Sequence, residues 1–219
     1  MNFKIIQTND GSNTIYLPDL DETYHSKFGA INEAQHIFID NGLAKLNRLE
    51  INVLEVGFGT GLNALLTLLY SERNRLNVNY ITIEKYPLPA EIVSALNYSE
   101  TVAGEDKFFV KIHELEWERT HQLSKHFTFK KVAADILDDN LSLPQNIDLI
   151  YFDAFAPSKQ AEIWGEKIFK KLYDCLSEEG KLVTYSSAGI VKQALRNTGF
   201  LVKRLQGPPG KHHMLFCSK

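Results

Sequence analysis

Cysteine is scarce in this chain: Cys175 and Cys217 are the only two among 219 residues. They lack C-x-x-C spacing, which excludes a cysteine-based zinc site and a disulfide framework and leaves two buried thiols as the expectation. Long apolar runs are missing as well, since no stretch of about 18 uninterrupted apolar residues occurs. Met1 to Gly11 is polar and lacks the apolar centre of a secretory signal. A cytoplasmic protein with no membrane partner is expected. Metal-ligand spacing is also lacking. His113, His121 and His126 fit no common motif, and Glu33 and His36, three apart on an expected helix, have no second such pair. No metal site is expected.

What is present is an ordinary globular composition, 44% hydrophobic and 23% charged, without repeats or low-complexity tracts. The length suits one domain. The net charge of -3 argues against indiscriminate polyanion binding, but it is unevenly spread. Residues 1–150 carry 13 Lys and Arg against 21 Asp and Glu, whereas residues 151–219 carry 11 against 6. The basic last third permits a local nucleic-acid footprint, although a basic segment is more often a solvated face.

The chain is organised around Leu54-Glu55-Val56-Gly57-Phe58-Gly59-Thr60-Gly61-Leu62. An apolar run from Ile51 to Val56 leads in and a second, through Leu65, Leu66 and Leu69, leads out, so the stretch reads as strand, glycine turn and helix. A dinucleotide-binding turn needs a third glycine where Leu62 stands, and that reading fails. The pattern is instead E-x-G-x-G-x-G, with Glu55 near the carboxyl end of its strand, where open α/β sheets bind ligands. A carboxylate there suits an ammonium group, as in the amino-acid tail of S-adenosylmethionine. Gly57, Gly59 and Gly61 would let the cofactor approach bare backbone.

A second strand, Val78 to Ile83, ends at Glu84, placed to hydrogen-bond both hydroxyls of an adenosine ribose. A third, Phe127 to Val132, leads to Asp135 and Ile136, which suit the amino group and ring of adenine. The fourth, Ile147 to Phe152, is nearly all apolar, as a central parallel strand should be. It runs into Asp153, the expected catalytic residue.

Further strands at Leu182 to Tyr185, Leu201 to Arg204 and Met214 to Cys217 bring the core to seven, with Glu179-Gly180 read as a turn. Strands alternating with helices predict an α/β fold, a doubly wound, mostly parallel seven-stranded sheet over residues 49–219. Residues 1–48 form a small appendage, with a hairpin around Asn9-Asp10-Gly11 and a helix ending near Asn41-Gly42. Residues 100–126 read as charged and irregular.

The combination of E-x-G-x-G-x-G with Leu62-Asn63, Glu84-Lys85-Tyr86-Pro87-Leu88, and D-x-F-x-P-x-K from Asp153 followed by Trp164 resembles the tRNA wobble-uridine aminomethyl methyltransferases. Tyr24-His25-Ser26, Gly29-Ala30, Glu33, Ala188-Gly189, and Gly210-Lys211 to Met214-Leu215 extend the resemblance over nearly the whole chain. The sequence departs in having Ala154 where glycine is frequent and His212-His213 where Arg-Glu is common. The resemblance implies a class I S-adenosylmethionine enzyme that completes 5-methylaminomethyl-2-thiouridine in the anticodon region of tRNA. It further implies a stand-alone methyltransferase whose amine is supplied by other enzymes or a separate flavin-dependent oxidase.

In that setting Phe155 suits stacking on the flipped wobble base, although a core role fits it equally, and Pro157 stiffens its loop. Lys159, Lys203, Arg204 and Lys211 are candidates for phosphate contacts. Two rival readings fit the same residues. One is a methyltransferase or aminopropyl transferase acting on a small-molecule amine, and the other a non-catalytic tRNA-binding module.

Overall fold

Eleven strands and seven α-helices make up the computed structural model, which describes residues 2–102 and 106–219. Those in the appendage are β1 (Lys4–Gln7), β2 (Asn13–Leu17), β3 (Glu22–Thr23) and α1 (Ala30–Ala34). The expected hairpin is present, with Ile5 opposite Ile15, and β3 adds a third antiparallel strand to it. Helix α1 continues as a π-helical turn over Gln35–Asp40 and stops at Asn41. Its apolar side, Ile37 and Phe38, joins Ile15 and Leu17 in one core with Val53, Leu62 and Tyr151.

The main sheet follows. It comprises β4 (Glu50–Val56), α2 (Leu62–Asn74), β5 (Asn77–Glu84), α3 (Ala90–Val93), α4 (Tyr98–Thr101), α5 (Asp106–Glu114), β6 (Thr120–Ser124) and β7 (Phe127–Ala133). The second half adds β8 (Ile147–Phe152), α6 (Glu166–Cys175), β9 (Leu176–Thr184), α7 (Gly189–Asn197), β10 (Leu201–Gln206) and β11 (His213–Ser218). The strand order is β10-β11-β9-β8-β4-β5-β7-β6. The pairs from β9 to β7 are parallel, and β6, β11 and β10 are antiparallel to their neighbours. All six residues of β8 are buried, as its nearly unbroken apolar run requires of a strand covered on both faces.

Three features depart from the sequence reading, the first being helix α5, which stands in the stretch read as irregular. The sheet has eight strands, because β6 pairs along β7 in the stretch read as irregular; residues 103–105 of that stretch lie outside the described residues. As an edge strand it buries only Leu123, so it carries no apolar pattern to betray it. Glu179-Gly180, read as a turn, lies inside β9. A side chain on Gly180 would meet Leu176 at 2.7 Å, and the register against β8 shifts nearby. Glycine lets the strand carry an irregularity and continue.

Cys175 and Cys217 are buried free thiols. Among the described residues no helix is long and apolar enough to cross a membrane.

Candidate active site

The carboxyl ends of β4, β5 and β8 are tied together before any ligand is considered. Gly57 N–H donates to Ile83 O at 3.0 Å, and Asp153 N–H to Val56 O at 2.9 Å. Gly57 has φ +95°, and a Cβ on it would lie 2.4 Å from the Asp153 carbonyl oxygen, so only glycine lets the two strand ends approach this closely. Gly61, at φ +74°, starts α2 in the left-handed region, packed beneath His113 and Phe58. His113 in turn donates Nε2–H to Thr60 O at 3.0 Å, and burial pushes its pKa down to about 4.

Above these ends lies a cavity of about 590 Å³, within the range of small-molecule sites. Of the residues expected to serve the site, Gly57, Gly59, Glu84, Asp135, Ile136, Asp153, Phe155, Lys159 and Lys211 all line it. Glu84 accepts Gly59 N–H on one carboxylate oxygen at 3.0 Å and Tyr86 N–H on the other at 2.8 Å. Glu84 also lines the cavity. Asp135 pairs with Lys85 at 2.8 Å and accepts Leu137 N–H at 3.0 Å. Burial opposes its ionisation, but these two partners prevail and hold its pKa below the usual carboxylate value.

Other expected residues stand elsewhere. Glu55 is fully buried and does not line the cavity, so the direct ammonium contact expected of it is not what the geometry offers. Asn63 stands in front of it. The Asn63 Nδ2 group donates to Glu55 Oε1 at 3.0 Å and to Asp153 Oδ2 at 2.8 Å. Gly61 serves the helix start and Pro157 the following loop, both outside the cavity wall. Lys203 and Arg204 are exposed on β10, also away from it. Lys211 reaches the cavity but is not free for a phosphate: its Nζ is 2.6 Å from Glu33 Oε1 and 3.9 Å from the Tyr185 ring centre. Glu33 and His36 do not converge on one point. Glu33 Oε2 accepts Ser26 N–H at 2.8 Å, whereas His36 Nε2 meets Gln206 O at 2.9 Å.

Sequence reasoning assigned no role to Asn63, Tyr24, His25, Glu33 or Tyr185, yet all line the cavity. The first four fall in segments that carry the family resemblance, and Tyr185 follows the carboxyl end of β9. Phe155 presents itself to the cavity edge-on to Tyr24, with ring centres 5.0 Å apart, and its carbonyl accepts the Trp164 indole N–H at 2.8 Å. Burial pushes Asp153 up to about 7; Asn63 and Lys211 oppose the shift and Glu33 adds to it. Glu55 is pushed up to about 8, again chiefly by burial. Burial also lowers His25 to about 4, so its ring is neutral at pH 7.

A family model described as S-adenosyl-L-methionine-dependent methyltransferase matches residues 103–219. The chain belongs to that family.

Members similar to it include proteins named tRNA 5-methylaminomethyl-2-thiouridine biosynthesis bifunctional protein MnmC. That of Pseudoalteromonas atlantica is 30% identical over 90% of this chain and 31% of its own length, and that of Burkholderia multivorans 32% identical over 92% and 33%. The chain thus spans about a third of the length of these curated relatives. Among solved structures, MnmC2 from Aquifex aeolicus superposes with a TM-score of 0.78 at 27% identity, covering 99% of this chain and 70% of that one. A spermidine synthase from Thermotoga maritima, at TM-score 0.58 and 17% identity over 99% of this chain and 72% of its own, shares the fold. This methyltransferase is therefore MnmC-like, with S-adenosylmethionine as its cofactor.

The residues present fit that cofactor. The glycine turn would leave no side chain against its methionyl part. Glu84 would offer acceptors to a ribose diol, and Ile136 would offer an apolar wall beside the Asp135 carboxylate for adenine.

Proposed function

We propose that this methyltransferase transfers a methyl group to the 5-aminomethyl nitrogen of wobble 5-aminomethyl-2-thiouridine in tRNA, giving 5-methylaminomethyl-2-thiouridine. One observation carries the reading. Asp153 sits beside the glycine cradle in a recess walled by Tyr24, Phe155 and Tyr185, which suits an amine carried on a planar ring. The names of the MnmC relatives support the tRNA substrate.

S-adenosylmethionine, held by the glycine turn, Glu84, Asp135 and Ile136, supplies a methyl group already activated on a sulfonium. The chain then has two tasks, to position the amine in line and to present it with a free lone pair. An alkylamine is largely protonated at pH 7, and a protonated nitrogen cannot attack. The partly apolar recess disfavours that charged form. Asp153 accepts an N–H from the neutral amine, aims its lone pair, and would stabilise the secondary ammonium that forms as the C–N bond closes and the methyl–sulfur bond breaks, its electron pair leaving with S-adenosylhomocysteine. With its pKa near 7, Asp153 is also matched to receive a proton near neutral pH. Phe155 stacks on the displaced base and Lys159 reaches its phosphate, while Lys211 holds Glu33 and Tyr185 at the rim. Reactions that expose the amine on the tRNA, such as oxidative trimming of a carboxymethyl group by a flavin-dependent oxidase, must come first.

The test is incubation of the protein and S-adenosylmethionine with tRNA carrying the 5-aminomethyl group, followed by nucleoside mass spectrometry. A gain of one methyl on the wobble nucleoside is expected. Methylation confined to small amines would overturn the tRNA reading.

A further inference from the structure

The rim of the cavity carries an aromatic ring that the catalytic reading does not use. Phe28 is 54% exposed. Its ring lies against Gly210, where a Cβ would fall 2.2 Å from Phe28 Cδ2, so a bare backbone supports one edge of the ring and leaves the rest to solvent. The Phe28 N–H donates to Ser26 Oγ at 3.2 Å, which fixes the turn that presents it. Ser26, two residues before Phe28, and Lys211, next to Gly210, both line the cavity.

The segments that meet at this ring carry cations, with the Asp10 carboxylate on the far side of Gly29. Lys27 precedes the ring, His212 and His213 follow Gly210, and β10, which leads into the same loop, carries Lys203 and Arg204 exposed. Among the described residues Lys27, Lys203 and Arg204 make no ion pair. A docking surface for a folded protein would be expected to show a contiguous apolar patch, and a lone ring among unpaired cations is not one. Aromatic platforms interleaved with cations are how single-stranded nucleic acids are held, since every base has a π-face and every linkage a negative charge.

We propose that Phe28 is a stacking platform for the base adjacent to the nucleotide inserted in the cavity, in single-stranded RNA. The proposal rests on the RNA reading of the substrate and adds to it a second base contact, outside the reaction centre. Phe155 holds the reacting base within; Phe28 holds its neighbour at the rim.

The experiment measures binding of an anticodon stem-loop RNA to the wild type, Phe28→Ala and Phe28→Trp by fluorescence anisotropy. Phe28→Ala is expected to weaken binding about 10-fold or more, from the loss of one stacked base. Its slope of log affinity against log salt should not change, because no phosphate contact is removed. Phe28→Trp should bind as the wild type does and its indole emission should fall when RNA is added. Affinity for S-adenosylhomocysteine should be equal in all three proteins, which controls for folding. Wild-type affinity in Phe28→Ala, or Phe28→Trp emission indifferent to bound RNA, would overturn the platform while leaving the RNA reading intact. Failure of the wild type to bind the stem-loop would overturn both.

Discussion

The side-chain amide of Asn63 donates one hydrogen to Asp153 Oδ2 at 2.8 Å and the other to Glu55 Oε1 at 3.0 Å. A single residue at the start of α2 thereby links the buried end of β4 to the reacting edge of β8. With Oδ2 engaged, Asp153 would keep Oδ1 for the amine of the proposed reaction.

The first prediction concerns pH. Asp153 is displaced upward to about 7, so its ionised form is lost as pH falls through 7, and kcat/KM should decline on that side. The Asn63 hydrogen bond favours the ionised form, and its removal in Asn63→Leu should move this acidic limb to higher pH by about one unit. A pH–rate series on both proteins checks this. An unshifted limb with lowered kcat would mean that Asn63 acts on something other than Asp153.

Glu55 supplies a second prediction. With burial pushing its pKa to about 8, it is largely uncharged at pH 7, and the neutral isostere Glu55→Gln should bind S-adenosylmethionine within about threefold of the wild type. Calorimetric titration decides it. A drop of 100-fold would restore the direct carboxylate–ammonium contact that the geometry argues against.

Glu84 should behave in the opposite way. It lines the cavity, with both carboxylate oxygens held by backbone N–H groups. Glu84→Ala should weaken cofactor binding by about 10- to 100-fold, the worth of one or two charge-assisted hydrogen bonds. Binding of methionine-like fragments without the ribose should be unaffected.

A fourth prediction is structural. Gly57→Ala places a methyl 2.4 Å from the Asp153 carbonyl at a positive φ, so the ends of β4 and β8 must separate. Thermal denaturation should show a loss of about 2 kcal/mol or more.

Much of this site was legible in the sequence because its main residues sit where strands end. Gly57, Glu84, Asp135 and Asp153 each follow a recognisable apolar run, and the rule that ligands bind at carboxyl strand ends places them together. The burial of Glu55 is not legible in the motif, because its spacing does not say which way a side chain points. One residue inside the strand end, Glu55 is buried behind Asn63, and only the packing of α2 on β4 reveals this. Tyr24, His25 and Glu33 come from the appendage, whose docking over the cavity is a long-range contact that no local pattern encodes. The edge strand β6 leaves no apolar pattern because solvent covers most of it, and the pairing of Lys211 with Glu33 joins residues far apart in the chain.

The central claim is that the methyl group goes to the exocyclic amine presented to Asp153, and one measurement addresses it most directly. Cofactor bearing a deuterated methyl is incubated with 5-aminomethyl-bearing tRNA and either the wild type or Asp153→Ala, and the wobble nucleoside is fragmented by mass spectrometry. Label is expected on the aminomethyl nitrogen with the wild type, and a rate lowered about 100-fold or more in Asp153→Ala with cofactor affinity retained. Label on the base ring or the ribose, or an undiminished rate in Asp153→Ala, would contradict that claim.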